Sequence, residues 1–64
     1  MNTYYEVTSK YYDNGRVEAE ITNTLITSTK PDSDYKEGVV CDIYVDWFDS
    51  YEKAQQFIKD AKCA

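Results

Sequence analysis

Val39-Val40-Cys41-Asp42-Ile43-Tyr44-Val45-Asp46-Trp47 places Val39, Cys41, Ile43, Val45 and Trp47 on odd positions and Val40, Asp42, Tyr44 and Asp46 on even ones. A period of two marks a strand with one apolar and one polar face. Asp49-Ser50-Tyr51-Glu52 follows and reads as a capping box, with Asp49 capping and Glu52 reaching back. Tyr51, Ala54, Phe57, Ile58 and Ala61 then recur at helical spacing as one stripe. A half-apolar strand followed by an amphipathic helix predicts a sheet with a helix laid on one face.

Upstream, Asn2 to Tyr12 is rich in Tyr, Val and Thr, which favours strand. Asp13-Asn14-Gly15 is a turn signal. Arg16 to Ser28 is again β-branched and alternating. A two-residue turn at Asn14-Gly15 would oppose the apolar face of one strand to the polar face of the next. A three-residue turn puts Tyr11 opposite Val17 and Val7 opposite Ile21, so that register is predicted, with Gly15 left-handed in a bulge. Thr29 to Gly38 holds Pro31 and three acidic residues and reads as a loop.

Together these elements predict one α+β domain over residues 1–64, a two-layer β-β-β-α fold. Its sheet is a three-stranded antiparallel meander, with the C-terminal helix on one face. The ten-residue connection also permits the last strand to cross and lie beside the first. The covered face is expected to carry Tyr5, Val7, Tyr11, Val17, Ala19, Ile21, Leu25, Val39, Cys41, Ile43, Val45 and Trp47. Trp47 and Phe57 are its expected anchors.

Composition narrows the function. The 64 residues carry 12 acidic and 7 basic side chains, a net charge of −5. Nucleic-acid binding needs clustered Lys and Arg, whereas Arg16 is the only arginine and the lysines are scattered. Anionic membranes are disfavoured on the same ground. There is no His and there are only two Gly, so the commonest general base and a phosphate-cradling loop are both missing. Asp42 and Asp46 would stand about 13 Å apart along a strand, beyond the span of a glycosidase pair. No spacing suggests a metal site or a cofactor. Cys41 and Cys63 are expected at one end of the domain, as free thiols of a cytoplasmic protein or, alternatively, as a disulfide. The expectation is a protein that is not an enzyme.

What remains is the even, solvated face. Its candidate interaction residues are Tyr4, Glu6, Tyr12, Glu18, Glu20, Asp42, Tyr44 and Asp46. Tyr offers contact area at low entropic cost, and carboxylates steer a basic partner. A solvated sheet face is polar in any case, so a surface with no binding role is the competing reading. The functional expectation is a small acidic inhibitor or modulator that docks on a basic surface of a larger protein. In size, acidity and compactness the chain is similar to small phage-encoded inhibitors of host defence, including anti-CRISPR proteins, without a shared motif. A self-assembling homodimer is the alternative, through a sheet edge or the open face. A small-molecule binder ranks last.

Overall fold

The first hairpin forms in the predicted register. The structure, a computed structural model, describes residues 1–63. Strands β1 (Asn2–Tyr12) and β2 (Val17–Thr27) pair antiparallel, with Tyr11 opposite Val17 and Val7 opposite Ile21. The Tyr12 amide donates to the Arg16 carbonyl and the Gly15 amide to the Tyr12 carbonyl, closing a three-residue turn. Gly15 has φ +88°, a backbone conformation that side chains with a Cβ rarely adopt.

Two further strands complete the sheet. The expected loop contains β3 (Asp34–Glu37), a short strand paired with β4 (Cys41–Phe48). The sheet is therefore four-stranded and antiparallel, in the order β2-β1-β4-β3. The meander expectation is corrected: β4 lies beside β1, and the chain after Thr27 passes the end of two strands to reach the far edge. Tyr35-Lys36-Glu37 pairs with Asp42-Ile43-Tyr44, so the segment gains a ladder that a free loop would lack. Val39 and Val40 sit at the β3–β4 hairpin tip and not in a strand, 96% and 61% exposed. Gly38 is needed there, because a Cβ on it would lie 2.5 Å from the Cys41 carbonyl oxygen.

Helix α1 (Tyr51–Cys63) follows β4. Its cap is one residue later than predicted. Ser50 Oγ accepts the Lys53 amide at 3.0 Å, while Asp49 pairs with the Lys53 ammonium at 3.1 Å. Ala54, Ile58 and Ala61 are buried on Val7 and Ala19, with Tyr5, Val17, Ile21, Phe48 and Phe57 packed around them. Tyr51 is exposed, though its ring meets Tyr5 edge-on at 5.7 Å. Among the described residues no helix is long and apolar enough to cross a membrane.

The register corrects the assignment of faces. In β1 the odd residues face α1, as expected: Val7 and Ser9 are fully buried. Opposite them on β4 stand Asp46 and Tyr44, and Phe48 stands opposite Tyr5. Directly opposed residues share a face. The even residues of β4 therefore point to the helix side, and Cys41, Ile43, Val45 and Trp47 point away from it. Phe48 confirms the direction, its ring 5.1 Å from that of Phe57. The alternation correctly identifies two faces but not which one the helix covers. α1 lies over β2 and β1 more than over β4, so β4 is peripheral and contributes chiefly Phe48 to the core. A second parity change occurs in β2. A bulge between Glu6 and Val7 of the register leaves Thr22 as the extra residue. Beyond it Leu25 faces away from the helix, opposite Tyr4, and not into the core as expected.

Candidate functional site

The eight residues expected on one face fall on two. Tyr4, Glu6, Tyr12, Glu18 and Glu20 lie on the sheet face away from α1, and Asp42, Tyr44 and Asp46 lie on the helix side. Tyr4 is only 7% exposed and offers little to a partner. It shares its face with Leu25 directly opposite and with Trp47 one diagonal step away.

Two carboxylates on the outer face are engaged within the sheet. Glu6 Oε1 accepts the Thr22 hydroxyl at 2.6 Å, and Thr22 in turn meets the Thr8 hydroxyl at 2.8 Å. Glu18 accepts the Tyr12 hydroxyl at 2.6 Å and pairs with Arg16 at 3.5 Å. The Tyr12 hydrogen bond holds the Glu18 carboxyl below its ordinary range, helped by Arg16, Lys10 and Lys62. The same bond raises the Tyr12 hydroxyl above its ordinary value. A hollow of about 400 Å³ at this edge is lined by Lys10, Arg16, Glu18, Glu20 and Lys62. Its two acids face three cations, so it presents no unbalanced negative charge.

The helix side is built differently. Because α1 lies over β2 and β1, it leaves the β4–β3 half of that face open beside its flank. Three tyrosines occupy the opening. The Tyr11 and Tyr44 rings meet edge-to-face at 5.4 Å, and the Tyr35 and Tyr44 rings are tilted against each other at 4.8 Å. Edge-to-face and tilted contacts suit the ring quadrupole and leave part of each π-face free. Tyr35 and Tyr44 are 50% and 39% exposed. Between Tyr11, Tyr44, Asp46 and Phe57 lies a cleft of about 300 Å³. Phe57 forms its helical wall from the flank of the buried stripe.

Acid surrounds these rings. Asp42 and Asp46 stand on β4 and are half-buried, and the register places Glu37 opposite Asp42 on the same side. Asp42 accepts the Tyr35 hydroxyl at 3.3 Å. Partial removal from water raises the Tyr35 hydroxyl above its ordinary value, and the neighbouring Asp42 charge adds to the shift. Among the described residues the salt bridges are Arg16–Glu18 and Lys53–Asp49, so no cation pairs with Glu37, Asp42 or Asp46. Half-buried carboxylates beside exposed aromatic faces suit an incoming ammonium or guanidinium. The carboxylate supplies charge and the ring face supplies cation–π attraction.

The chain matches no protein-family model, no curated protein and no solved structure. The site therefore rests on its own geometry. Tyr11, Tyr35, Glu37 and Phe57 belong to it although the alternation did not mark them. For Tyr35 and Glu37 the signal was Asp34-Tyr35-Lys36-Glu37 ending at the turn residue Gly38, whereas Tyr11 and Phe57 read as residues of the covered face. Among the described residues no group of three acidic, Cys or His side chains is placed to hold a metal ion. Cys41 and Cys63 are free thiols. Cys41 faces away from α1 and Cys63 ends α1, so the sheet lies between them.

Proposed function

We propose that this chain is a small acidic interaction module, an inhibitor or modulator that docks on a basic surface of a larger protein. The reading keeps the charge logic of the sequence and moves the contact surface to the helix side. One observation carries it. Tyr11, Tyr44 and Tyr35 form a continuous aromatic strip, and Asp42, Asp46 and Glu37 beside it pair with no cation among the described residues. Asp42, Tyr44 and Asp46 remain binding residues in this proposal. Tyr11, Tyr35, Glu37 and Phe57 join them. Glu6, Glu18 and Tyr12 are bonded within the sheet instead, and Glu20 lines the hollow beside Lys10, Arg16 and Lys62.

The cleft would take one lysine or arginine side chain of the partner as an anchor. Its stem would lie on Phe57 and Tyr44 and its charge would meet Asp46. The surrounding acids would steer encounter, which raises the association rate and makes it salt-sensitive. A rigid strand pair presents these groups without an ordering cost on binding.

The test is capture from a cell lysate by tagged wild type and by Asp42→Asn/Asp46→Asn, at low and high salt, followed by titration of the purified captured protein. The proposal expects one partner, lost at high salt and bound at least tenfold more weakly by the double variant. Capture that is indifferent to both would place the function elsewhere on the chain.

A further inference from the structure

The two edges of the sheet are protected unequally. β3, at one edge, has four residues, and Asp34, Lys36 and Glu37 are charged. A short, charged edge discourages pairing with another chain. β2, at the other edge, has eleven residues. Its first half carries Glu18 and Glu20, with Arg16 just before it. From Ile21 the chain reads Ile-Thr-Asn-Thr-Leu-Ile-Thr to Thr27, with neither charge nor proline. Leu25 is 40% exposed and Ile26 64%, on opposite faces of this free edge. The bulge at Thr22 separates the charged half from the neutral one.

We propose that Asn23–Thr27 of β2 pairs antiparallel with the same segment of a second copy, forming a twofold dimer whose sheet runs through both chains. Charge selects this occupant. The segment has no carboxylate to draw the basic partner of the cleft. Two copies with a net charge of −5 each repel over most of their surface. At this edge they meet with no like charges opposed. Centring the pair on Leu25 sets Leu25 against Leu25, Thr24 against Ile26 and Asn23 against Thr27. Each residue then keeps its side of the sheet, and Ile26 gains a β-branched neighbour.

A dyad between antiparallel strands stands perpendicular to the sheet, so both helices fall on one face. The strand order becomes β3-β4-β1-β2-β2-β1-β4-β3. The two β4 strands are five spacings apart, about 24 Å at strand separation. Both clefts therefore open on the same side. A target with two basic sites at that distance would be held bivalently. The dimer itself does not depend on what the cleft binds. Five paired residues run only about 17 Å, which predicts a weak dimer.

Sedimentation equilibrium from 5 µM to about 1 mM tests this on wild type, Ile26→Lys, Thr24→Lys and Val39→Lys, each checked for native circular dichroism. The expected result is a wild-type mass rising towards two copies, with association weakened at least tenfold, towards monomer, by Ile26→Lys and Thr24→Lys. Val39→Lys, which alters a still more exposed apolar residue at the far hairpin tip, leaves the dimer unchanged. A wild-type mass of one copy throughout overturns the proposal. So does a dimer that survives both β2 variants, or one abolished by Val39→Lys.

Discussion

Deleting the same two methyl groups on opposite faces of the sheet discriminates the observed arrangement from the one that alternation suggests. Val7 is fully buried against α1, whereas Val45 is half-buried on the face that α1 does not cover. Simple alternation puts both in one core. Val7→Ala removes two methyl groups, worth about 1.6 kcal/mol in transfer free energy. An unrelaxed void of about 50 Å³ adds up to about 1.2 kcal/mol. The expected loss is therefore about 2–3 kcal/mol. A 64-residue domain has roughly 3–10 kcal/mol in total. In a chain this short the melting temperature should fall by about 10–20 °C. Val45→Ala, with no packed layer above it, should cost under about 1 kcal/mol. Urea denaturation of both variants, followed by far-ultraviolet circular dichroism, measures the difference. Equal losses would refute the assignment of the β4 faces, and with it the position of the cleft.

Three further outcomes follow from individual contacts. Ser9 is fully buried and its hydroxyl has no hydrogen-bond partner; Ser9→Ala should therefore stabilise the fold by about 1 kcal/mol, and a lower melting temperature would mean that the hydroxyl is satisfied. Glu18 titrates below its ordinary value of 4.5 because of the Tyr12 hydroxyl, so this bond contributes fully above the unfolded value and is lost as pH falls through the folded one. Tyr12 is shifted upward from 10.0, so its share is present below that pH and is lost as pH rises through the folded value. A carboxyl-carbon NMR titration of Tyr12→Phe should show Glu18 moving back up, and an unmoved Glu18 would assign the shift to Arg16 and the lysines. Ser50→Ala should cost about 1 kcal/mol through loss of the helix cap, and Asp49→Ala less; the reverse order in thermal melts would return the cap to Asp49.

Much of this architecture is legible before any coordinates. Matching the apolar positions of two strands was enough to choose the three-residue turn, because a one-residue slip would turn every side chain over. The helical stripe of Ala54, Ile58 and Ala61 is equally plain. The position of β4 was not, since a ten-residue connection reaches either neighbour. Its orientation misled for a different reason. Cys41, Ile43, Val45 and Trp47 are the more apolar set, but the helix sits over β1 and β2, and Phe48 alone of β4 joins the core cluster. The Thr22 bulge has no marker in composition, yet it moves Leu25 to the other face. The parity of β4 alone divided the expected binding surface, since the bulge lies beyond Glu18 and Glu20. It left the carboxylates of Glu6 and Glu18 bonded within the sheet and those of Asp42 and Asp46 beside the tyrosines.

Backbone amide shifts during titration with a short arginine–glycine peptide, set against a lysine–glycine and a glutamate–glycine control, locate the binding face directly. The account predicts perturbations at Tyr11, Tyr35, Asp42, Tyr44, Asp46 and Phe57 with both cationic peptides, weakened roughly tenfold by Asp46→Asn, as loss of a charge-assisted contact implies. Perturbations concentrated on Glu6, Glu18 and Glu20, or none at millimolar peptide, would contradict it.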